Sequence, residues 1–170
     1  MNYKKVAEKV VKMNPIDNDL LQKMAEDINF CQEIIRVFLN DDSIIVLEAT
    51  SQKVLKNLQG RSVQIDIYCV SKDGIHFNGE VQKRDDDNHQ KRVRYNSACI
   101  TTNITDTGTK FEKVPNVIII YITKKDIFKQ GKTIYHVDRV IRDTGTVVSN
   151  GLSEVYVNGE YTYSCEVSIE

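Results

Sequence analysis

The sequence predicts an α/β layered domain built on a mixed sheet. Two stretches repeat apolar residues at helical spacing, a strand-like hairpin lies between them, and the run Val117 to Ile122 is apolar without alternation. The last pattern is that of a strand covered on both faces, as in a sheet flanked by helices. A length of 170 residues, with 41% hydrophobic and 28% charged content, suits one globular domain with its own core. It excludes collagen-like, low-complexity and largely disordered chains.

From Asp19 to Leu39 the apolar residues Leu20, Met24, Ile28, Cys31, Ile35 and Phe38 recur at three- or four-residue steps. This spacing predicts one helix with a single buried face, capped by Asp17 or Asn18. Ile44 to Leu47 and Lys53 to Leu58 read as two short extended pieces, with a turn at Gln59-Gly60. In Val63 to Val70 the odd positions are apolar, while Gln64, Asp66 and Tyr68 occupy the other face. Ile75, Phe77 and Val81 carry the apolar face onward past the turn Ser71-Lys72-Asp73-Gly74. A two-residue Asp73-Gly74 loop would set Asp66 beside Val81 and mix the faces. A three-residue loop ending in a left-handed Gly74 sets Asp66 opposite Glu80 and gathers every apolar residue on one side, so this register is expected.

Asp85 to Asn88 supply capping side chains for a second helix, His89 to about Ile104, closed by Asp106-Thr107-Gly108. Val93, Ser97, Ile100 and Ile104 form one face, and His89, Arg92 and Asn96 another. His89 is read as solvated and His136 as structural. Beyond Lys124 the chain becomes strand rich at Thr133 to Val140, Thr146 to Ser149 and Glu154 to Val157. A single domain is expected over 1–170, with a core at about 14–125 and a β-rich extension at about 126–160.

Cys31, Cys69, Cys99 and Cys165 stand far apart, with no zinc spacing and no disulfide framework, so buried reduced thiols are expected. No apolar run approaches the roughly 20 residues of a membrane helix. Met1 to Lys12 carries four lysines and lacks the apolar stretch of a signal peptide, which makes the cytoplasm the expected compartment. A formal charge of -1 does not by itself point to a dedicated nucleic-acid binder. The total averages over a patterned chain, however, because Lys83, Arg84, Lys91, Arg92 and Arg94 fall close together. If DNA is the ligand, binding is expected to be weak without metal and steeply salt-dependent.

Two carboxylates facing each other across a hairpin, with the Gln82 amide two residues beyond Glu80 on the same face, form an economical site for a hard divalent cation. Mg²⁺ takes oxygen ligands and keeps several waters, so one or two carboxylates suffice. Such a cation can polarise a phosphodiester and activate water, which Gln82 could orient. A polar strand face bearing Asp, Glu and Gln also serves as ordinary solvated surface, so spacing alone leaves both readings open.

Asp66 followed by Glu80-Val81-Gln82 resembles the D…ExQ variant of the PD-(D/E)XK nuclease motif. The surroundings resemble one family more closely, the PD-(D/E)XK nuclease family transposases, related to the recombination-promoting nucleases. The strings that carry the resemblance include Lys56-Asn57-Leu58-Gln59-Gly60-Arg61-Ser62-Val63, Asp66-Ile67-Tyr68, Lys91-Arg92-Val93-Arg94-Tyr95-Asn96-Ser97, Ile134-Tyr135-His136-Val137-Asp138-Arg139 and Val155-Tyr156-Val157-Asn158-Gly159. The resemblance implies a restriction-endonuclease-like αβββαβ core and metal-dependent cleavage of DNA with Mg²⁺ or Mn²⁺. Asp66 and Glu80 would bind the metal, Gln82 would take the position of the third motif member, and Glu33 would match an acid that many such nucleases place near the metal. Lys83, Lys91, Arg92, Arg94 and Tyr95 would face DNA. The sequence departs from the motif at two points: Ile65 stands where a Pro often precedes the first acid, and Gln82 lacks the charge of a Lys, which Lys83, Lys91 or Arg92 would then supply. Family members commonly continue into a helical C-terminal part, whereas this sequence stops at Glu170, which leaves a naturally short member, a degenerate member and a truncated chain as open readings. The partner implied is DNA, with no membrane and with a homodimer as one admissible assembly. The alternative on the same residues is a catalytically weak nuclease-fold protein that binds nucleic acid or a partner protein.

Overall fold

In the computed structural model, residues 23–57, 60–82 and 88–159 are described. Asp27 is extended, at φ -90° and ψ 109°, and its carboxylate accepts from the Asn29 and Phe30 backbone N–H groups, which starts helix α1 at Ile28–Leu39. Asn40, left-handed at φ 51°, ends it with its N–H on the Arg36 carbonyl. The helix expected from Asp19 therefore does not run through, because the Asp27 cap interrupts it. Asp17 and Asn18, the expected caps, lie outside the described residues.

Strands β1 (Val46–Leu55), β2 (Val63–Ser71) and β3 (His76–Gln82) form an antiparallel series. Helix α2 (His89–Ile104) then crosses over to β4 (Val117–Thr123), which pairs with β3 in parallel. After β5 (Ile134–Val137), strands β6 (Arg139–Ile141) and β7 (Thr146–Val148) form a separate exposed hairpin, and β8 (Leu152–Asn158) returns to lie parallel beside β4. The main sheet thus has the order β1-β2-β3-β4-β8-β5. It is mixed, as the sequence predicts, and β5 and β8 complete it. A parallel strand pair needs a crossover of about a dozen residues or more, and α2 supplies the one between β3 and β4.

Each face of the sheet carries a core. Cys31 and Ile35 of α1 pack on Cys69, Phe77, Ile120 and Val155. On the other face Val93 and Ile100 of α2 cover Ile65, Tyr68, Ile119 and Tyr121. β4 is buried between the two layers. Cys31, Cys69 and Cys99 are buried free thiols, and Cys165 lies outside the described residues. No helix among the described residues is long and apolar enough to cross a membrane.

The β2–β3 hairpin adopts the expected register, with Ile67 opposite Gly79 and Cys69 opposite Phe77. Gly74 sits at φ 73°, the left-handed conformation that the three-residue loop requires. Two expectations fail in the neighbouring ladder. The two extended pieces before Gly60 are one strand, β1, with Gln52 in its middle at φ 52°. Opposite Gln52, β2 also changes its facing: Ile67 and Cys69 lie toward α1, whereas Val63 and Ile65 pack beneath α2. The odd-numbered apolar residues are therefore split between the faces. The cause is local, because Ser51 pairs with Ile67 and Lys53 with Ile65 while Gln52 and Asp66 between them make no ladder pair.

Candidate active site

Asp66 lies at the change of facing in β2. Its Oδ2 accepts the Val81 backbone N–H at 2.9 Å, and Gln52 Nε2 donates to its Oδ1 over a longer 3.4 Å. The carboxylate so takes up a strand donor just beyond the last ladder pair, Ile67 with Gly79. Gln64 in turn hydrogen-bonds Gln52 through its side-chain amide, which ties the three side chains together.

Glu80 stands in β3 on the face covered by α2 and is only 3% exposed. Burial and the neighbouring Asp66 charge push its pKa from the ordinary 4.5 up to about 8. Arg92 of α2 pulls in the other direction, with its guanidinium 3.9 Å from Glu80 Oε2. Glu80 Oε1 is buried without a hydrogen-bond partner, and so are both amide atoms of Asn78, two residues earlier on the same strand face. Unpaired buried polar atoms are costly and uncommon in proteins, and their clustering beside a carboxylate pair is the property expected of a site that takes a ligand. Across the strand, Tyr121 pairs with Glu80 and its hydroxyl lies 3.3 Å from His89 Nδ1. His89 is buried against this tyrosine, which corrects the expectation of a solvated histidine: it opens α2 on the helix face turned toward the sheet.

The expected residues distribute unevenly. Asp66 and Glu80 come together, Arg92 joins them from α2, and Gln82 ends β3 half-buried on the Glu80 face, paired with Thr123 of β4. Glu33 is exposed on α1, in an ion pair at 3.0 Å with Arg36, and α1 packs on the face of the sheet opposite Glu80. No contact among the described residues joins it to the two acids. Lys83 lies outside the described residues. Lys91 and Arg94 are exposed on α2. Tyr95 has a fastening role: its hydroxyl donates to the Arg61 carbonyl and accepts from Asn57 Nδ2 at 3.1 Å, holding the segment before β2 against α2.

Asn88, which caps α2 by accepting the Lys91 N–H at 3.0 Å, begins a stripe of side chains that continues through Lys91, Arg92, Tyr95 and Asn96. These positions fall on one side of a helix. Together with Arg61, Ser62, Val63 and Gln64 they line a cleft of about 340 Å³. Sequence reading missed Asn78 and Arg61. Asn78 carried a signal in its alternation with Glu80, but nothing in the sequence distinguishes a buried polar face from a solvated one.

The donors suit a divalent cation, although no third His, Cys, Asp or Glu joins Asp66 and Glu80 among the described residues. Both acids offer hard oxygen ligands, Glu80 Oε1 and Asn78 Oδ1 lack partners, and a cation would relieve the repulsion that raises Glu80. A search of curated proteins finds no match. A family model described as PD-(D/E)XK nuclease family transposase matches residues 23–160. With that span covering both acids, both helices and the whole mixed sheet, the chain belongs to the PD-(D/E)XK nuclease family transposases.

Proposed function

We propose that the protein is a Mg²⁺- or Mn²⁺-dependent DNA endonuclease in which Asp66 and Glu80 hold the metal. The observation that carries this reading is the carboxylate pair of buried Glu80 and half-buried Asp66, with Glu80 raised to about 8 and left with an unpartnered oxygen. Such an arrangement destabilises the empty fold and is relieved by a cation. A bound divalent metal supplies Lewis-acid polarisation of the phosphodiester and acidifies a water.

The chain's own residues do the rest. Asp66 is held by the Val81 N–H and Gln52, so its carboxylate is oriented before substrate arrives. Arg92 supplies positive charge near Glu80, where Gln82 cannot. Gln82, at the end of β3, can orient the attacking water through its amide. The crevice outside the carboxyl ends of parallel strands, here β3, β4 and β8, is where α/β sheets commonly bind ligands.

Incubation of supercoiled plasmid with Mg²⁺ or Mn²⁺ should give nicked and linear products. Asp66→Ala and Glu80→Ala should each abolish cleavage and lower metal affinity in calorimetric titration. Cleavage that survives both substitutions removes these residues from the mechanism.

A further inference from the structure

The cleft between the start of β2 and the N-terminal half of α2 adjoins the acid pair through one shared residue, Arg92, which lines the cleft and faces Glu80. Arg61 stands on the β2 side and Lys91 beside Arg92 on the helix, so three cationic side chains surround a space with no carboxylate among its described lining residues. Among the described residues no acid pairs with Arg61 or Lys91. Gln64 and Asn96 add amides to the walls. The volume, about 340 Å³, lies at the small end of the roughly 300–1,000 Å³ typical of ligand sites. The walls are also fixed to each other, because the Tyr95 hydroxyl bridges from α2 to the Arg61 carbonyl and to Asn57. The bond at Arg61 uses its backbone, which leaves the exposed guanidinium to an anion.

We propose that this cleft is a subsite for one nucleotide of the DNA strand being cut, flanking the scissile phosphate, with Arg61 as its distal phosphate contact. The inference rests on the nuclease reading of the acid pair and extends it to a position outside the metal ligands. A free phosphate has the same charge chemistry, but the cleft shares Arg92 with the acid pair, and a continuous strand is the occupant that uses both places. Arg61 holds the backbone in place and takes no part in bond breaking. Its contribution is therefore uniform binding, which appears in KM.

The test compares wild type with Arg61→Ala and Arg61→Lys. Binding of a fluorescein-labelled DNA duplex is followed by anisotropy in EDTA across a salt series, with inorganic phosphate and a nucleoside 5′-monophosphate as competitors. Arg61→Ala should weaken duplex binding about tenfold and reduce the slope of log affinity against log salt by about one, as expected for one lost phosphate contact. Arg61→Lys should restore the slope. In the cleavage assay the Ala variant should lose about tenfold in kcat/KM through KM, with manganese affinity and melting temperature retained. Competition by the monophosphate at lower concentration than inorganic phosphate supports a nucleotide subsite, and equal competition reduces it to an anion site and overturns the proposal. An unchanged salt slope and KM also overturn it, as does a loss confined to kcat. Should Arg61→Ala fail to fold, Lys91→Ala probes the opposite wall with the same readouts. Arg61-dependent binding by a wild type that never cleaves DNA would uphold the subsite while removing the nuclease reading. Cleavage indifferent to Arg61 would do the reverse.

Discussion

Replacing Glu80 with Gln preserves the side chain's shape and removes its charge. Burial, and after it the Asp66 charge, push the Glu80 carboxyl up to about 8 from an ordinary 4.5. The folded state thus holds this proton more tightly than the unfolded chain. Its contribution is complete below the ordinary value and is lost as the pH rises through 8. At about 1.4 kcal/mol per unit the shift sets a ceiling of about 5 kcal/mol, of which about 3 kcal/mol is lost between pH 5 and pH 8. Solvent screens little of this, because Glu80 is almost wholly covered. Thermal denaturation in EDTA should therefore show Glu80→Gln close to wild type at pH 5 and more stable by about 3 kcal/mol at pH 8, or roughly 6–12 °C for a chain of this size. Added Mn²⁺ should close the gap by stabilising wild type alone. A difference between the two proteins that stays constant from pH 5 to pH 8 would refute the buried-carboxylate argument.

Three further predictions use neighbouring residues. Asp66→Asn removes the charge that helps raise Glu80, so the pH-dependent loss of stability should move to lower pH and manganese binding should weaken, both readable by denaturation and calorimetry. Arg92→Met acts in the opposite sense: it withdraws the larger of the two influences, Arg92 and the Asn78 side chain, that offset that rise, and the loss should extend to higher pH and deepen at pH 8. Gly79→Ala places a Cβ 3.1 Å from Ile67 Cβ in the tightest part of the hairpin. It should cost about 1–3 kcal/mol in urea denaturation, the usual penalty of overpacking.

The parts of the fold that local rules govern were legible. The α2 limits follow from the Asn88 cap and the spacing of Val93, Ser97 and Ile100, and the β2–β3 register follows from a loop that needs a left-handed glycine. The facing of Val63 and Ile65 was not legible, because alternation assumes an unbroken strand and the break is set by Gln52 in a different strand. The position of β8 between β4 and β5 was hidden for a similar reason: chain order does not state which strands pair. At the site, Asp66, Glu80 and Gln82 carried a spacing signal. The burial of Asn78 and His89 depends on how α2 lies across the sheet, which periodicity within either element does not encode.

The place of β8 between β4 and β5 also sets a schedule for the newborn chain. Both acids have been synthesised once Glu80 appears, yet β4 acquires its second parallel neighbour only when residues Leu152–Asn158 follow. At roughly 5–20 residues per second this leaves a few seconds in which one edge of the apolar strand Val117–Thr123 has no partner. Unpaired edges of this kind attract other chains. Expression at low temperature or with a chaperone should therefore raise the soluble yield, and substitutions that weaken β8 should act first on the amount of protein recovered, before any effect on its chemistry is visible.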